Sequence, residues 1–250
     1  MNVKGLVNIQ FIVVKDKVYV IEVNPRASRT VPFMSKITGI NMVEYATRIA
    51  LGESLKDTGL PLGLVPDKGY VAIKAPVFSF SKLGLVEIKL GPEMKSTGEV
   101  MGIGHTYQEA LYKAVVAAHL TVPAGGNVLI TVSDRDKPET AELAKGFVEL
   151  GYHLICTSGT GAYFEKLGIP VEIIKKIHEK GENCEKYMLV NTISYGSQIE
   201  QEGYDLRRIA VELAIPCITS LDTAKEVLRV MAASSSEPHV EAIQDYVKEN

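Results

Sequence analysis

Three polar side chains interrupt an apolar, strand-like run near the start of the chain. The segment "VYVIEVNPRASRT", residues 18–30, carries Glu22, Asn24 and Arg26 at alternate positions. Side chains of a strand alternate faces, so Glu22 and Asn24 share one face. Their oxygen atoms suit a hard cation such as magnesium, and the planar fork of Arg26 suits a phosphate. The spacing alone fits a solvent-facing strand end equally, and that is the commoner arrangement.

The residues before this segment supply a second strand. The sequence "GLVNIQFIVVKDKVYVIEVNP" has two runs rich in Val and Ile around the charged triplet "KDK", which predicts a hairpin. A three-residue loop would place Val14 opposite Val18 and Gln10 opposite Glu22. A two-residue loop would shift the register by one residue. In the first alignment Gln10 adds a third oxygen ligand to the strand face.

A second candidate site follows a strand in the second half of the chain. The segment "ICTSGTGAYFEKLG" places Thr157, Ser158, Gly159 and Thr160 between an apolar strand and a helix. The N–H groups at a helix start bind anions, and a glycine permits close approach. An ordinary strand-to-helix turn whose Thr caps the helix explains the same pattern.

Other polar residues follow neighbouring strands of the same region. Lys137 ends "VSDRDK", Asn191 lies in "VNTIS", and Lys176 lies in "IIKKIHEKG". Ligands of open parallel sheets bind at the carboxyl ends of the strands. We therefore expect the hydroxyl-rich turn, the Asn and the two lysines to converge on an anion.

The first part of the chain predicts a mixed unit that ends near Leu120. Two helices are expected in "VPFMSKITG" and "MVEYATRIALGESL", with chain breaks at Gly39 and Gly52. "GYVAIKAPVFSF" predicts a strand whose Pro76 indicates an edge or a bend. "LGPEMKSTGEVMGIG" has too many glycines for a regular element. "TYQEALYKAVVAAHL" predicts a helix that begins with Thr106 as its N-cap.

The second part alternates strands and helices, which predicts a parallel sheet covered on both faces. Strands are expected at 127–133, 152–157, 171–174, 187–192 and 216–219, and helices at 138–150, 160–168, 200–213 and from about 222. The boundary between the two units is placed near residue 120, where "TVPAGGN" breaks the pattern.

Composition excludes several classes of protein. The 250 residues are 46% hydrophobic and carry a net charge of −3, so no overall charge favours nucleic acid or an anionic membrane. No apolar run reaches the roughly 20 residues of a membrane span. Cys156, Cys184 and Cys217 are too widely spaced for a zinc motif, and they indicate a reducing cytoplasm.

The first half resembles a known family. "NIQFIVVKDKVYVIEVNPRASRTVPFMSKITG" and "GPEMKSTGEVMG" are similar to the end of the second ATP-grasp domain of the carbamoyl phosphate synthetase large chain. The resemblance implies that residues 1–119 form a partial ATP-grasp (α+β) unit. It also implies that Gln10, Glu22 and Asn24 bind Mg²⁺ or Mn²⁺ on the ATP phosphates, and that Arg26 is catalytic, contacting a phosphoryl group.

Residues 120–250 resemble the methylglyoxal synthase-like allosteric domain of the same family, a doubly wound parallel-sheet α/β fold. The resemblance implies a nucleotide effector such as UMP or IMP, with Thr131 lining the pocket. The implied effector ligands are Lys137, Thr157, Thr160, Lys176 and Asn191. Ile193 stands where the family has a second Thr, with hydroxyls instead at Thr192 and Ser194. Ala75 and Cys217 replace residues of ornithine-responsive members, so ornithine activation is not expected.

The resemblance implies the C-terminal portion of a glutamine-hydrolysing carbamoyl phosphate synthase large subunit. That ligase makes carbamoyl phosphate from bicarbonate, glutamine-derived ammonia and two ATP, for pyrimidine and arginine synthesis. Its implied partners are an N-terminal part of the large chain and a glutaminase small subunit, with oligomers permitted. The nucleotide-binding half of the ATP-grasp fold is missing before Asn2, so this chain alone is expected to be inactive.

Two alternatives remain open. The second domain could be a stand-alone methylglyoxal synthase, although "TISYGSQIEQEG" lacks the Gly-Gly-Asp-Gln-Gln run of that enzyme and only Asp134 and Asp136 lie near the loop. The hairpin and the glycine-rich segment could instead be surfaces of an interaction module.

Overall fold

The computed structural model describes residues 3–80, 88, 93–120, 125–174, 187–192, 197–233 and 240–248. Five residues named above, Asn2, Lys176, Cys184, Ile193 and Ser194, lie outside the described residues.

The chain begins with an antiparallel hairpin of β1 (Asn8–Val14) and β2 (Lys17–Asn24). Its turn has two residues, Lys15 and Asp16, with φ of 46° and 63°. Positive φ at both central positions characterises the type I′ turn, whose twist matches that of the strands. The predicted three-residue loop is therefore wrong, and Val14 pairs with Lys17 instead of Val18.

A register shift within the hairpin compensates for the short turn. Phe11 pairs with Val20, whereas Gln10 pairs with Glu22, which leaves Ile21 as the extra residue of a bulge. The predicted pairing of Gln10 with Glu22 is confirmed, because the bulge restores the register that the turn alone would have shifted.

The hairpin is exposed on both faces. Val18 and Tyr19 are neighbours and point to opposite faces, yet 63% and 51% of their surfaces are accessible. Phe11 is 55% exposed. Contiguous exposed apolar surface of this kind marks an interaction site in soluble proteins.

The rest of the first unit contains two helices, a second hairpin-like sheet and a third helix. Their bounds are α1 (Thr30–Thr38), α2 (Met42–Ala50), β3 (Val71–Val77), β4 (Gly98–Gly104) and α3 (Tyr107–Ala117). Gly39 ends α1 at φ 70°, and Gly52 follows α2 at φ 107°, so both predicted breaks are confirmed. Thr106 is the N-cap of α3 and accepts a hydrogen bond from the Glu109 amide, as predicted.

Strand β4 corrects the expectation of an irregular segment. It pairs antiparallel with β3, and Pro76 lies opposite Glu99 in this two-stranded sheet. The glycines reflect tight packing: a Cβ at Gly102 would fall within 3.0 Å of Ala110 and Ala114 of α3. Composition alone suggested a break where the helix in fact requires small residues in a strand.

The second unit is a five-stranded parallel sheet in the order β7-β6-β5-β8-β9. The strands are β5 (Gly126–Thr131), β6 (Tyr152–Thr157), β7 (Glu172–Ile174), β8 (Tyr187–Asn191) and β9 (Cys217–Ile218). The helices are α4 (Lys137–Glu149), α5 (Ser158–Lys166), α6 (Ser197–Glu212), α7 (Leu221–Ala233) and α8 (Ile243–Lys248). The predicted doubly wound α/β fold is confirmed.

The core of this unit lies between the sheet and its helices. Val128 and Ile130 of β5 are fully buried, as are Phe147 of α4 and Phe164 of α5. Consecutive residues of β5 are apolar, so both faces of the strand are apolar, because a central parallel strand is covered on both sides.

The C-terminal segment 240–248 packs back onto the first unit. Tyr246 of α8 is 1% exposed, and its ring lies 5.8 Å from Tyr70 and 5.0 Å from His105, centroid to centroid. Lys113 of α3 donates to the Tyr246 hydroxyl at 3.0 Å and to Glu109 at 2.6 Å. Burial alone would raise the pKa of Glu109, but the hydrogen bonds from Lys113 and the His105 amide lower it, so this carboxylate is ionised at neutral pH.

The two units also meet along α3 and α7. The Tyr107 hydroxyl donates to Glu226 at 3.0 Å.

Of the helices that the structure describes, none combines the length and apolarity needed to cross a bilayer.

Candidate effector site at the sheet switch point

The candidate site lies where the strand order reverses. β5 is central, β6 lies on one side of it, and the chain crosses to β8 on the other side. Thr131 and Asn191 end β5 and β8 and are register partners. The crevice outside the carboxyl ends of the strands at such a point is the usual ligand site of an open α/β sheet.

Thr157 connects the neighbouring strand to this point. It ends β6 and is the N-cap residue of α5, but its side chain makes no capping hydrogen bond. Its hydroxyl instead donates to Thr131 Oγ1 at 3.0 Å. The interpretation that a Thr merely caps this helix is therefore wrong for Thr157. Helix α5 begins at Ser158 instead of residue 160, so the hydroxyl-rich turn supplies the first helical N–H groups.

Lys137 brings a positive charge to the first turn of α5. It begins α4 directly after a short 3-10 helix, Asp134–Asp136. Its Nζ lies 3.6 Å from the position that a Cβ would take at Gly159. The same Nζ forms an ion pair with Asp134 Oδ1 at 2.5 Å, where Asp134 is 94% exposed and Lys137 only 15%. The exposed Asp134 carboxylate is thus paired with the ammonium group that an anionic ligand would contact.

Thr160 and Asn191 are buried and already hydrogen-bonded within the protein. Thr160 is 2% exposed and accepts from the Val132 amide at 3.4 Å. Asn191 is 5% exposed, and its Nδ2 donates to the Thr131 carbonyl at 3.1 Å. Both residues hold strand ends in place, which limits the hydrogen-bonding groups that each has left for a ligand.

Asp136, a carboxylate that the sequence did not single out as a ligand, is held by hydrogen bonds beyond the end of β5. Ser133 donates to Asp136 at 2.6 Å, and the Ser133 amide donates to Thr192 at 3.1 Å. Burial would raise the pKa of Asp136, but hydrogen bonds from the Ser133 and Thr192 hydroxyls and the charge of Arg135 lower it overall.

Arg207 of α6 is the functional candidate that sequence reasoning missed. It is 2% exposed, and its Nη1 donates to Asn191 Oδ1 at 2.7 Å. In the sequence it is half of an Arg pair on a helix, which ordinarily indicates a solvated face. Only its position beneath β8 distinguishes it from Arg208.

Cys156 is unsuited to nucleophilic chemistry. It is fully buried in β6, and burial raises the pKa of its thiol to about 12. The reactive form of cysteine is the thiolate, so this residue belongs to the core.

The other candidate residues lie at the open end of the first hairpin. Gln10 and Glu22 are register partners and exposed, while Asn24 is partly buried two residues further along β2. Arg26 is exposed beyond the strand, where its Nη1 donates to the Ala27 carbonyl at 3.0 Å. Within the described part of the chain, no three His, Cys, Asp or Glu residues cluster as metal ligands. One carboxylate with two amide oxygens fits Mg²⁺, which retains waters and shares substrate phosphates.

Two family models match the chain. Residues 139–219 match the MGS-like domain, and residues 1–58 match the carbamoyl-phosphate synthase L chain, ATP binding domain. The fold and the match over residues 139–219 thus define the second unit as an MGS-like domain. The two matches together cover more than half of the chain, which belongs to the carbamoyl-phosphate synthase large-chain family and matches its C-terminal part.

The chain carries an ATP-binding region of a carbamoyl-phosphate synthase-type ligase and an MGS-like regulatory domain, and it corresponds to part of a larger enzyme. The first match contains Thr157, Thr160 and Asn191, and the second contains Gln10 and Glu22. Neither reaches residues 59–138, so the boundary near residue 120 stays a prediction.

Proposed function

We propose that the MGS-like domain is the regulatory site of a glutamine-hydrolysing carbamoyl phosphate synthase and binds a nucleoside monophosphate of the UMP or IMP type. One observation carries the proposal: Lys137, Thr157 and the first turn of α5 meet at the switch point of the sheet. An ammonium, a hydroxyl and helical N–H groups together favour a phosphate.

Within this proposal the ligand contacts divide by exposure. Lys137 and the N–H groups of Ser158 and Gly159 hold the phosphate. Thr157 and Thr131 lie beside it. Asn191 and Thr160, being buried, contribute through the shape of the strand ends and through one amide N–H of Asn191. Lys176, which the family resemblance adds as a ligand, supplies a second positive charge.

A catalytic role for this domain is less well supported. A methylglyoxal synthase needs a carboxylate base whose pKa is matched to neutral pH. The pKa of Asp136 is lowered, and Asp134 is paired with Lys137 on the surface. The lowered pKa makes Asp136 a weaker base, and Asp134 is engaged by Lys137, which favours binding over catalysis.

The first unit contributes to the ATP site of the parent ligase in our proposal. Gln10, Glu22 and Asn24 would hold Mg²⁺ or Mn²⁺, which when bound neutralises charge on the ATP phosphates. Arg26 orients a phosphoryl group by its planar guanidinium. The remainder of the ATP-grasp fold then covers the exposed hairpin. The same proposal includes three properties of the family: a glutaminase partner, a cytoplasmic location, and roles in pyrimidine and arginine synthesis. Binding at the two sites would be coupled reciprocally.

Nucleotide titration with two opposing variants tests the regulatory site. UMP and IMP are expected to bind the wild-type chain, and Lys137→Ala should weaken binding about 10- to 100-fold, because a hydrogen bond to a charged group contributes about 1.5–3 kcal/mol. Asp134→Asn should tighten binding about 2- to 5-fold, since an exposed ion pair that competes with the ligand is worth roughly 0.2–1 kcal/mol. Isothermal calorimetry gives each dissociation constant.

Lys145→Ala is the matched control for that titration. Lys145 lies on the same helix as Lys137 and is 48% exposed beside Glu142, so its loss should leave affinity unchanged. Absence of wild-type binding at millimolar nucleotide contradicts the proposal. Turnover of dihydroxyacetone phosphate would instead establish the synthase alternative.

The chain alone is expected to make no carbamoyl phosphate from ATP, magnesium and either carbamate or bicarbonate. Gln10 and Glu22 are exposed, and the described residues place no second face over them, so the phosphates would remain hydrated. A coupled assay for carbamoyl phosphate and ADP measures this. Residual ADP release by the Glu22→Ala variant should equal that of the wild-type chain. Robust product that disappears in Glu22→Ala would refute the expectation.

A further inference from the structure

We infer that Arg207 is a positioning residue of the effector site, acting through the side-chain amide of Asn191. The inference rests on the proposed function, because it assigns Arg207 a part in the same nucleotide site. Arg207 itself lies beneath β8 and does not contact the ligand.

The first support is the burial of a charge at a strand end. Arg207 is 2% exposed, and a guanidinium removed from water carries a large desolvation cost unless its donors are used. Its Nη1 donates to Asn191 Oδ1 at 2.7 Å, within the usual range for a charge-assisted hydrogen bond. This bond joins α6 to the last residue of β8.

The second support is the direction that this bond imposes on the amide. An Asn side chain can turn over to exchange its oxygen and nitrogen. Here Oδ1 is held by Arg207 while Nδ2 donates to the Thr131 carbonyl at 3.1 Å. Turning the amide over would direct NH₂ at a guanidinium and oxygen at a carbonyl. Arg207 therefore fixes the second N–H of Asn191, which these two bonds do not use.

The fixed amide connects to the rest of the site. Asn191 bonds to Thr131, and Thr131 Oγ1 accepts from Thr157 at 3.0 Å. These bonds link Arg207, through Asn191 and then through the backbone and side chain of Thr131, to Thr157, the N-cap residue of α5. Releasing Asn191 would loosen the strand ends that frame the phosphate position.

A glycine leaves room for this bond. A Cβ at Gly203 of α6 would lie 3.0 Å from Arg207 Nη1 and 3.7 Å from Asn191 Oδ1. Gly203 therefore lets α6 approach the bonded pair closely. Gly203→Ala offers a way to displace the guanidinium without removing its charge.

A double-mutant cycle on nucleotide affinity tests the inference. Arg207→Gln is expected to weaken UMP or IMP binding by about tenfold, and Arg208→Gln, the neighbour that pairs with Glu212 at 2.8 Å, should change it less than twofold. In an Asn191→Ala background, Arg207→Gln should cost almost nothing further, because a residue that acts through Asn191 has nothing left to position. Gly203→Ala should reproduce the loss in part and serves if Arg207→Gln does not fold.

Two outcomes overturn the inference and differ from each other. If the wild-type chain binds no nucleotide, the proposed function fails and this inference fails with it. If the wild-type chain binds but the losses from Arg207→Gln and Asn191→Ala add, Arg207 is merely structural and only this inference fails. The NMR signal of the Asn191 side-chain amide, shifted by Arg207→Gln and unchanged by Arg208→Gln, gives a readout independent of affinity.

Discussion

Replacing Gly102 with alanine is expected to destabilise the first unit by about 3 kcal/mol or more, the upper part of the range for overpacking a close contact. An added Cβ would lie within 3.0 Å of three atoms of α3: the Ala110 carbonyl oxygen, the Ala114 amide nitrogen and the Ala114 Cβ. Two of these are backbone atoms, which cannot move aside by a change of rotamer. Helix α3 would have to separate from β4, and its fully buried Ala110 and Ala114 would lose their contacts.

Gly98→Ala in the same strand is the control. A Cβ at Gly98 would meet only Val77 Cβ, at 3.9 Å, which is an ordinary van der Waals distance. Its effect should be within about 0.5 kcal/mol, as for most surface substitutions. Urea unfolding followed by circular dichroism compares the two variants. Equal midpoints for Gly102→Ala and Gly98→Ala would show that α3 does not pack on β4 as described.

Tyr246→Ala is expected to release the C-terminal segment from the first unit, at a cost of about 3 kcal/mol, as for other large buried aromatic residues. The ring is 1% exposed between Tyr70 and His105, and its hydroxyl accepts from Lys113. Helix α8 follows the MGS-like domain in the chain yet packs on the first unit. The loss of stability should therefore be seen in both units. Thermal melting measures stability, and limited proteolysis measures release of residues 240–248.

Tyr246→Phe separates the ring from its hydroxyl. It keeps the aromatic contacts and removes one hydrogen bond, so a cost of about 1 kcal/mol is expected. Lys113 retains its bond to Glu109 at 2.6 Å in this variant. Val240→Ala, at a residue that is 85% exposed, should leave melting and proteolysis unchanged. A loss for Tyr246→Phe as large as for Tyr246→Ala would mean that the hydroxyl network, and not ring burial, holds the segment.

The hairpin shows how local and non-local signals divide. Alternation of Val and Ile predicted both strands, and the charged triplet predicted their turn. The loop length was wrong, since Lys15 and Asp16 alone form the turn at positive φ. The pairing of Gln10 with Glu22 was nevertheless right, because a bulge at Ile21 restores the register. Bulges depend on strand twist and cross-strand contacts, which a pattern of apolar residues does not encode.

Strand β4 shows the same division in the opposite direction. Its glycines indicate a break when the segment is considered by itself. In the folded chain two of them, Gly102 and Gly104, lie where α3 crosses the strand, and a Cβ at either would fall within 3.0 Å of atoms of α3. Local propensity was overridden by a contact with a helix that begins after the strand ends.

By itself the sequence determined the resemblance to the family, the order of the strands and helices other than β4, and the residue types available for an anion and a cation. These follow from periodicity and motifs, which act over a few residues along the chain. The tertiary structure alone decided that Thr157 bonds to Thr131 instead of capping α5, that Asp134 forms an ion pair with Lys137, and that Arg207 lies buried against Asn191. The bonds of Thr157 to Thr131 and of Arg207 to Asn191 join separate segments, and so arise only when the strand ends meet at one edge of the sheet. The pair of Asp134 with Lys137 is local and depends on the direction of the two side chains.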